Sequence, residues 1–324
     1  MIALGLTAVV LILGAGCGET FPAAVRVGPV APVFVAPTEL KVRVAGRITT
    51  VPLEDYVAGT AVSEVVPVGE SPGTVDRIYE VQTIVARTYA LAHLRRHRAE
   101  GFDLCDSTHC QVYEPGRLST SRFAGDVQRA AERTSGEVLM YDAHPIDALF
   151  HADCGGHTAS PEQVWGTAPL AYLRALPDSA PALTHRSWTV SITRDAMRKA
   201  LNADPRTAVG RTLTSLVTGP IDSSGRVPDV RATGQRRVDI RSDDFRAVVN
   251  KALGPKGIQS TRFRLRTNGP DYVVTGTGYG HGVGLCQLGA LARARRGTDA
   301  DEILATYFPG TVLLKLSRVS GRIP

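Results

Sequence analysis

Residues 276–290, GTGYGHGVGLCQLGA, constrain the possible folds more than any other stretch of this chain. Glycine stands at every second position from Gly276 to Gly284, with His281 among them. Glycines spaced this way let a backbone pass close to another surface, or take positive φ, at a cost in conformational entropy. Gln287 follows at the expected start of a helix, and a helix N-terminus beside such a loop offers N–H groups to a polar partner. Two readings stay open here: a tight strand-to-helix turn around a packed histidine, or a loop lying against a ligand. The segment is not a dinucleotide fingerprint, because the glycine spacing differs and the downstream acid is missing.

The remaining sequence can supply a sizeable core. The chain has 324 residues, 43% of them hydrophobic and 21% charged, enough for one large domain or two modest ones. This composition excludes a disordered tail, a coiled coil and a polytopic membrane protein. Local patterning predicts an α+β fold whose strands and helices interleave irregularly rather than as βαβ units. A hairpin is expected over residues 41–51 and the clearest helix over 77–95. There Val81, Ile84, Val85, Thr88 and Ala92 recur at helical spacing and Asp76 is placed to cap. A second helix is predicted at 121–133, with strands at 138–141 and 147–151. Residues 187–271 alternate short strands (188–192, 238–240) with helices (194–201, 245–253), which marks a candidate subdomain. Helices after Cys286 and over 299–307, then a strand over 312–316, close the chain.

The N-terminus carries a targeting signal. Residues 2–13 are almost wholly apolar and lead into Gly14-Ala15-Gly16-Cys17. A dozen helical residues rise about 18 Å, short of a bilayer core of about 30 Å, so the run reads as a signal-peptide segment rather than a span. Residues 1–17 are expected to direct export. The small residues before Cys17 resemble the site at which bacterial prolipoproteins are lipidated and cut, with ordinary signal-peptidase cleavage as the alternative. Residues 18–40, rich in Pro, Val and Ala, read as a tether, and the domain is expected over 41–318. The protein is thus expected outside the cytoplasm, held to a membrane by lipid on Cys17 if that residue is modified. A net charge of +6 favours loose contact with acidic polymers. The chain shows no zinc-finger spacing, RNA-binding aromatic signature or Walker loop, so no nucleic-acid partner is expected.

Several ordered blocks resemble one family. GHGVGLCQLGA with Tyr307-Phe308-Pro309-Gly310-Thr311 is similar to the C-terminal signature of the SpoIID/LytB family, that of stage II sporulation protein D and its non-sporulation relatives. Leu53-Glu54-Asp55-Tyr56-Val57-Ala58-Gly59, Ser63-Glu64, Gln82, Ala86-Arg87-Thr88-Tyr89-Ala90-Leu91 and Cys110-Gln111-Val112-Tyr113 resemble its opening blocks. HADCGGHT (151–158), Trp165-Gly166 and Tyr172-Leu173 resemble its central block, and Ser260-Thr261-Arg262-Phe263 the piece before the glycine loop. The resemblance implies a SpoIID-like α+β fold with a central cleft. It also implies a peptidoglycan lytic transglycosylase that cuts between N-acetylmuramic acid and N-acetylglucosamine in strands stripped of stem peptides.

Carried over by that resemblance, Glu64 is the catalytic carboxylate, placed after an expected turn at Val57–Gly59. One acid suffices for the chemistry, because the muramyl C6 hydroxyl can replace the second carboxylate of most glycosidases. Val62, Val65 and Val66 would keep the carboxyl protonated by desolvation. This chain departs from the family pattern just after the acid, reading Glu64-Val65-Val66-Pro67 with extra residues over 68–76. Arg87, Tyr89, Gln111, Thr158, His281 and Gln287 are the expected substrate-binding residues. No cofactor is required for the chemistry. The competing reading is a non-catalytic wall-binding protein that enhances a partner amidase.

Without Cys17, four cysteines remain: Cys105, Cys110, Cys154 and Cys286. Cys105, His109 and Cys110, with His97 or His93 upstream, have the residue types of a structural zinc site, and family members with zinc in this region are known. A Cys105–Cys110 disulfide is the alternative. Cys154 and Cys286 lie in two glycine-rich blocks expected to meet at the cleft, and pairing between them is open.

Overall fold

A computed structural model describes residues 26–27, 34–179, 185–254 and 257–316. Its elements begin with β1 (Arg26–Val27), β2 (Glu39–Val44), β3 (Arg47–Pro52), α1 (Leu53–Glu64), α2 (Pro72–Ala92) and β4 (Leu104–Cys105). Next come α3 (Arg117–Thr120), α4 (Ala124–Arg133), β5 (Glu137–Tyr141), β6 (His144–Pro145), β7 (Phe150–His151) and α5 (Pro161–Trp165). The middle of the chain forms β8 (Ser187–Thr193), α6 (Arg194–Asn202), β9 (Leu213–Thr218), β10 (Asp229–Gly234), β11 (Arg237–Arg241) and α7 (Ser242–Leu253). It closes with β12 (Phe263–Asn268), β13 (Asp271–Thr277), β14 (Leu285–Cys286), α8 (Gln287–Arg295), α9 (Ala300–Tyr307) and β15 (Val312–Lys315). The class is α+β, as the patterning predicts.

The main core forms around α2, which buries Ile78, Val81, Ile84, Val85, Ala86, Tyr89, Ala90 and Leu91. Helices α1, α4, α8 and α9 and strand β5 all pack on it. Ser71 caps this helix, accepting from Thr74 N at 3.3 Å, and Pro72 opens it. The expected cap Asp76 is therefore inside the helix, because Ser-Pro upstream supplies a better start. The extra residues after the acid form a short connection and the first turn of α2. A second core forms from β8, β12 and β13 with β9, β10, β11, α6 and α7 around Trp188, Phe245, Tyr272 and Val274.

Three expectations change. Val57–Gly59 lies inside α1 rather than in a turn; a Cβ on Gly59 would collide with the Tyr113 ring packed against it. Strand β2 starts at Glu39, before the expected Lys41, because Leu40 is fully buried in the hairpin with β3. The strand expected over 147–151 shrinks to β7, since Ala148 N and Leu149 N bond to the Ile146 and Asp147 carbonyls two residues back instead of to a neighbouring strand. Cys17 and most of the expected tether fall outside the described residues. Among the described residues no helix is long and apolar enough to cross a membrane.

Arg87 belongs to this core, not to the cleft expected to bind substrate. Its guanidinium, fully buried, donates to Glu54 Oε1 at 3.2 Å and Glu54 Oε2 at 2.6 Å, and to the carbonyl of Glu137 at 3.2 Å. Removing one partner of such a pair leaves a charge in low dielectric. Arg87→Met should therefore cost about 3–5 kcal/mol of stability, read as a fall in the denaturant midpoint. An unchanged midpoint with weakened glycan binding would return Arg87 to the cleft.

Candidate active site

A cavity of about 1020 Å³ opens between the two cores. Glu64, Tyr89, His109, Cys110, His281 and Gln287 all line it, so the fold brings together residues that are far apart in the chain. Trp165, Asp147, His93, Arg96, His151, Arg246 and Lys251 also line it. Of these, the sequence marks Trp165 by a family-like block and His93 as a candidate metal ligand, but neither as part of the cleft. Arg246 and Lys251 could have been found only by seeing that one face of α7 turns away from the second core.

Glu64 is the last residue of α1, where the partial negative charge of the helix C-terminus opposes a carboxylate. Its Oε1 accepts a hydrogen bond from Val112 N at 2.7 Å. Burial pushes its pKa up to about 7, with the Val112 bond acting the other way. The result is a carboxyl that can hold its proton near neutrality. Asp147, the other acid on the cavity wall, sits 3.5 Å from His93 Nε2.

Val112 reaches Glu64 because the preceding loop is fixed at both ends. Gln111, expected to read substrate, is buried instead: Tyr56 Oη donates to its Oε1 at 3.4 Å and its Nε2 donates to the Ala86 carbonyl at 3.4 Å. Upstream, ligand atoms of His97, Cys105, His109 and Cys110 all lie within 4.8 Å of one another. Cys110 Sγ is 3.2 Å from Cys105 Sγ and 3.4 Å from His97 Nε2, and His109 Nδ1 is 3.7 Å from Cys110 Sγ. His97 Nδ1 meets Glu100 Oε1 at 2.6 Å, the carboxylate contact that orients a ligating imidazole. Although burial opposes it, hydrogen bonds led by Ser107 draw the Cys105 thiol down to about 6. Two thiols and two imidazoles in this arrangement fit a tetrahedral zinc ion.

The glycine loop follows the first open reading, a strand-to-helix turn around a packed histidine, although it also lines the cavity. Its alternate glycines face the protein itself: a Cβ on Gly282 (φ +88°) would meet the Arg226 guanidinium, and one on Gly284 (φ +72°) the Leu149 carbonyl. Between Gly280 and Gly282, His281 lines the cavity, but both of its ring nitrogens are engaged. Nε2–H donates to the Phe150 carbonyl at 2.9 Å and Nδ1 accepts from Val283 N at 3.0 Å. Burial, and then the Arg246 charge, lower its pKa to about 4, so the ring is neutral at pH 7. Its ring face, 5.4 Å from Trp165, is what remains for a ligand. Thr158 lies away from the cavity; its Oγ1 donates to the Arg174 carbonyl at 3.1 Å and accepts from Leu176 N at 2.8 Å. Tyr89 Oη accepts from Arg96 at 3.4 Å, and Gln287 Nε2 donates to Gln82 Oε1 at 3.3 Å, while both Tyr89 and Gln287 line the cavity.

Comparison with known proteins now decides the family. The SpoIID family of stage II sporulation proteins matches residues 43–141. An uncharacterized protein of Brachyspira hyodysenteriae is 30% identical over 269 residues, covering 83% of this chain and 68% of its own length. Stage II sporulation protein D of Bacillus subtilis is 26% identical over 278 residues, 82% of this chain and 75% of that protein. The chain belongs to the SpoIID family. The amidase enhancer of Bacillus subtilis is 26% identical over 281 residues, 72% of this chain and 37% of the enhancer. The SpoIID match ends at Tyr141, so the cavity joins residues inside it, such as Glu64 and Tyr89, to residues beyond it, such as His281 and Gln287.

Because both His281 nitrogens hold backbone, His281→Ala in this SpoIID protein should leave the Phe150 carbonyl and Val283 N–H unpaired. The expected cost is about 1–3 kcal/mol, from two partly buried backbone groups losing their partner. Thermal unfolding reads it directly. An unshifted melting temperature with lost glycan affinity would instead make the ring a hydrogen-bonding sugar ligand.

Proposed function

We propose that this SpoIID protein is a peptidoglycan lytic transglycosylase with Glu64 as its single acid/base. The observation that carries the reading is a partly buried carboxyl, raised to about 7, on the wall of a cavity large enough for sugar rings. Glu64 first gives its proton to the glycosidic oxygen as the bond from the muramyl C1 breaks. The muramyl C6 hydroxyl then closes on C1, and the Glu64 carboxylate takes the hydroxyl proton. The products are a 1,6-anhydromuramyl end and a free C4 hydroxyl, with Glu64 reprotonated for the next turnover. Asp147, held beside His93, is not needed as a base in this scheme.

Other residues position the strand. Trp165 and the His281 ring face offer apolar area for a pyranose, and Tyr89 and Gln287 offer hydrogen-bonding groups. His97, Cys105, His109 and Cys110 would hold a structural zinc, whose service is to fix the loop that carries Val112 N to Glu64. Strands without stem peptides imply a cell-wall amidase acting upstream, and the protein is exported, with Cys17 as the candidate lipid anchor. The relative named amidase enhancer supports a second reading, a wall-binding partner of an amidase without cleavage of its own.

Glu64→Gln separates the two. Incubated with denuded sacculi, the wild type should release 1,6-anhydro products, and the variant should be slower by several orders of magnitude. Wild-type cleavage should decline as pH rises through about 7, where Glu64 loses its proton. Burial makes the folded state bind that proton more tightly than the unfolded chain, so Glu64 destabilises the fold progressively as pH rises from about 4.5 through about 7. The glutamine variant should accordingly match the wild type in melting temperature at pH 4 and exceed it at pH 8. Equal product yields from both proteins would rule out Glu64, and no product from either would favour the amidase partner.

A further inference from the structure

A second set of metal-type donors lies at the cavity floor, which His151 helps to line, apart from the Cys105–Cys110 loop. His151 on β7 and Cys286 on β14 are register partners in a parallel pair, and Cys154 stands just beyond β7. A ring nitrogen of His151 and the sulfurs of Cys154 and Cys286 lie within 4.8 Å of one another. His151 is 4% exposed and both cysteines are fully buried.

The hydrogen bonds around these groups suit ligation. His151 Nδ1 lies 3.1 Å from the Val283 carbonyl, which can only accept, so the proton sits on Nδ1 and Nε2 keeps its lone pair. That Nε2 is buried and has no hydrogen-bond partner. Three backbone N–H groups point at the two sulfurs: Cys154 N and Gly289 N at Cys286 Sγ (3.3 and 3.4 Å), and Gly156 N at Cys154 Sγ (3.4 Å). Cys286 also caps α8, where the helix dipole favours negative charge. Asp178 Oδ2 is 3.4 Å from Cys154 Sγ, and this carboxylate is itself oriented by Tyr307 Oη at 2.9 Å and Arg293 at 2.7 Å. Asp153 and His185 also approach Cys154, but they are engaged with each other at 2.6 Å.

We propose that His151, Cys154 and Cys286 form a second metal site for a thiophilic divalent cation, zinc in the ordinary case, with Asp178 as its neighbouring carboxylate. Binding exchanges the two thiol protons for the cation. A Cys154–Cys286 disulfide would use the same sulfurs but leave the His151 lone pair buried and unanswered, and would give the three N–H donors no anion. The ion would clamp the 151–156 loop to the glycine loop and to the start of α8.

The test is metal content of the whole purified chain, reduced, stripped with chelator and reloaded with zinc. The wild type should hold about two zinc ions per chain and the Cys154→Ser/Cys286→Ser variant about one, if each site takes one ion. Reloading with cobalt should give thiolate-to-metal absorption that survives in Cys105→Ser/Cys110→Ser and disappears in Cys154→Ser/Cys286→Ser made on that background. His151→Gln, which keeps both thiols, should weaken zinc retention at this site by roughly ten- to a hundredfold. Zinc content unchanged by the Cys154/Cys286 substitutions would overturn the proposal, as would a Cys154–Cys286 disulfide in a non-reduced digest. Because the readout is metal bound, the result stands whether or not the protein cleaves glycan.

Discussion

Helix α2 is buried along most of its length, and a helix so placed must satisfy its polar side chains within the protein. Arg87 does so through Glu54 and the Glu137 carbonyl, Thr88 through the Ile84 carbonyl at 2.7 Å, and Gln82 through its Oε1, which accepts from Gln287 while its Nε2 has no partner among the described residues. These contacts fix α1 and β5 against α2 and bring α8 to its side. The cavity is a consequence. Its near wall is the end of α1, Tyr89 of α2 and the start of α8, all referred to one rigid element. The far wall, Arg246 and Lys251 of α7, belongs to the second core.

Glu64 depends on contacts that are remote in sequence. Its environment combines a helix C-terminus, apolar burial and one backbone N–H from a loop that begins at Cys105. That loop is tied by two cysteines, two histidines and Gln111, so the acid and the candidate zinc site act as one assembly. A group raised toward 7 by burial is useful as an acid and costly to the fold, a familiar exchange of stability for function.

Element types were largely legible in the sequence. Helices α6, α7 and α8 and strands β8 and β15 fall close to their expected positions, because apolar spacing and short polar breaks mark them. Boundaries failed where a local signal was outcompeted, as when Ser71-Pro72 displaced Asp76 as the start of α2. The site was legible as a set of residue types, less so as roles. Gln111, Thr158 and Arg87 are polar residues in family-like blocks, yet the fold spends them on buried backbone and one ion pair. Arg246 and Lys251 gave no signal, since a charged face on an amphipathic helix ordinarily meets water. The glycine run pointed to close approach, correctly; that the surface approached is the protein's own could be known only once 149–154 and Arg226 were placed.

The position of Glu64 at the end of α1 has an evolutionary consequence. Each residue added to or removed from a helix rotates everything after it by about 100°. A length change within Leu53–Glu64 would swing the carboxyl away from Val112 N, so this helix is closed to insertions and deletions. The segment after it is not: Val65–Glu70 is irregular backbone, and its length can vary without turning the acid. The residues expected to depart from the family pattern, 68–76, lie there and in the opening turn of α2, downstream of the proposed acid.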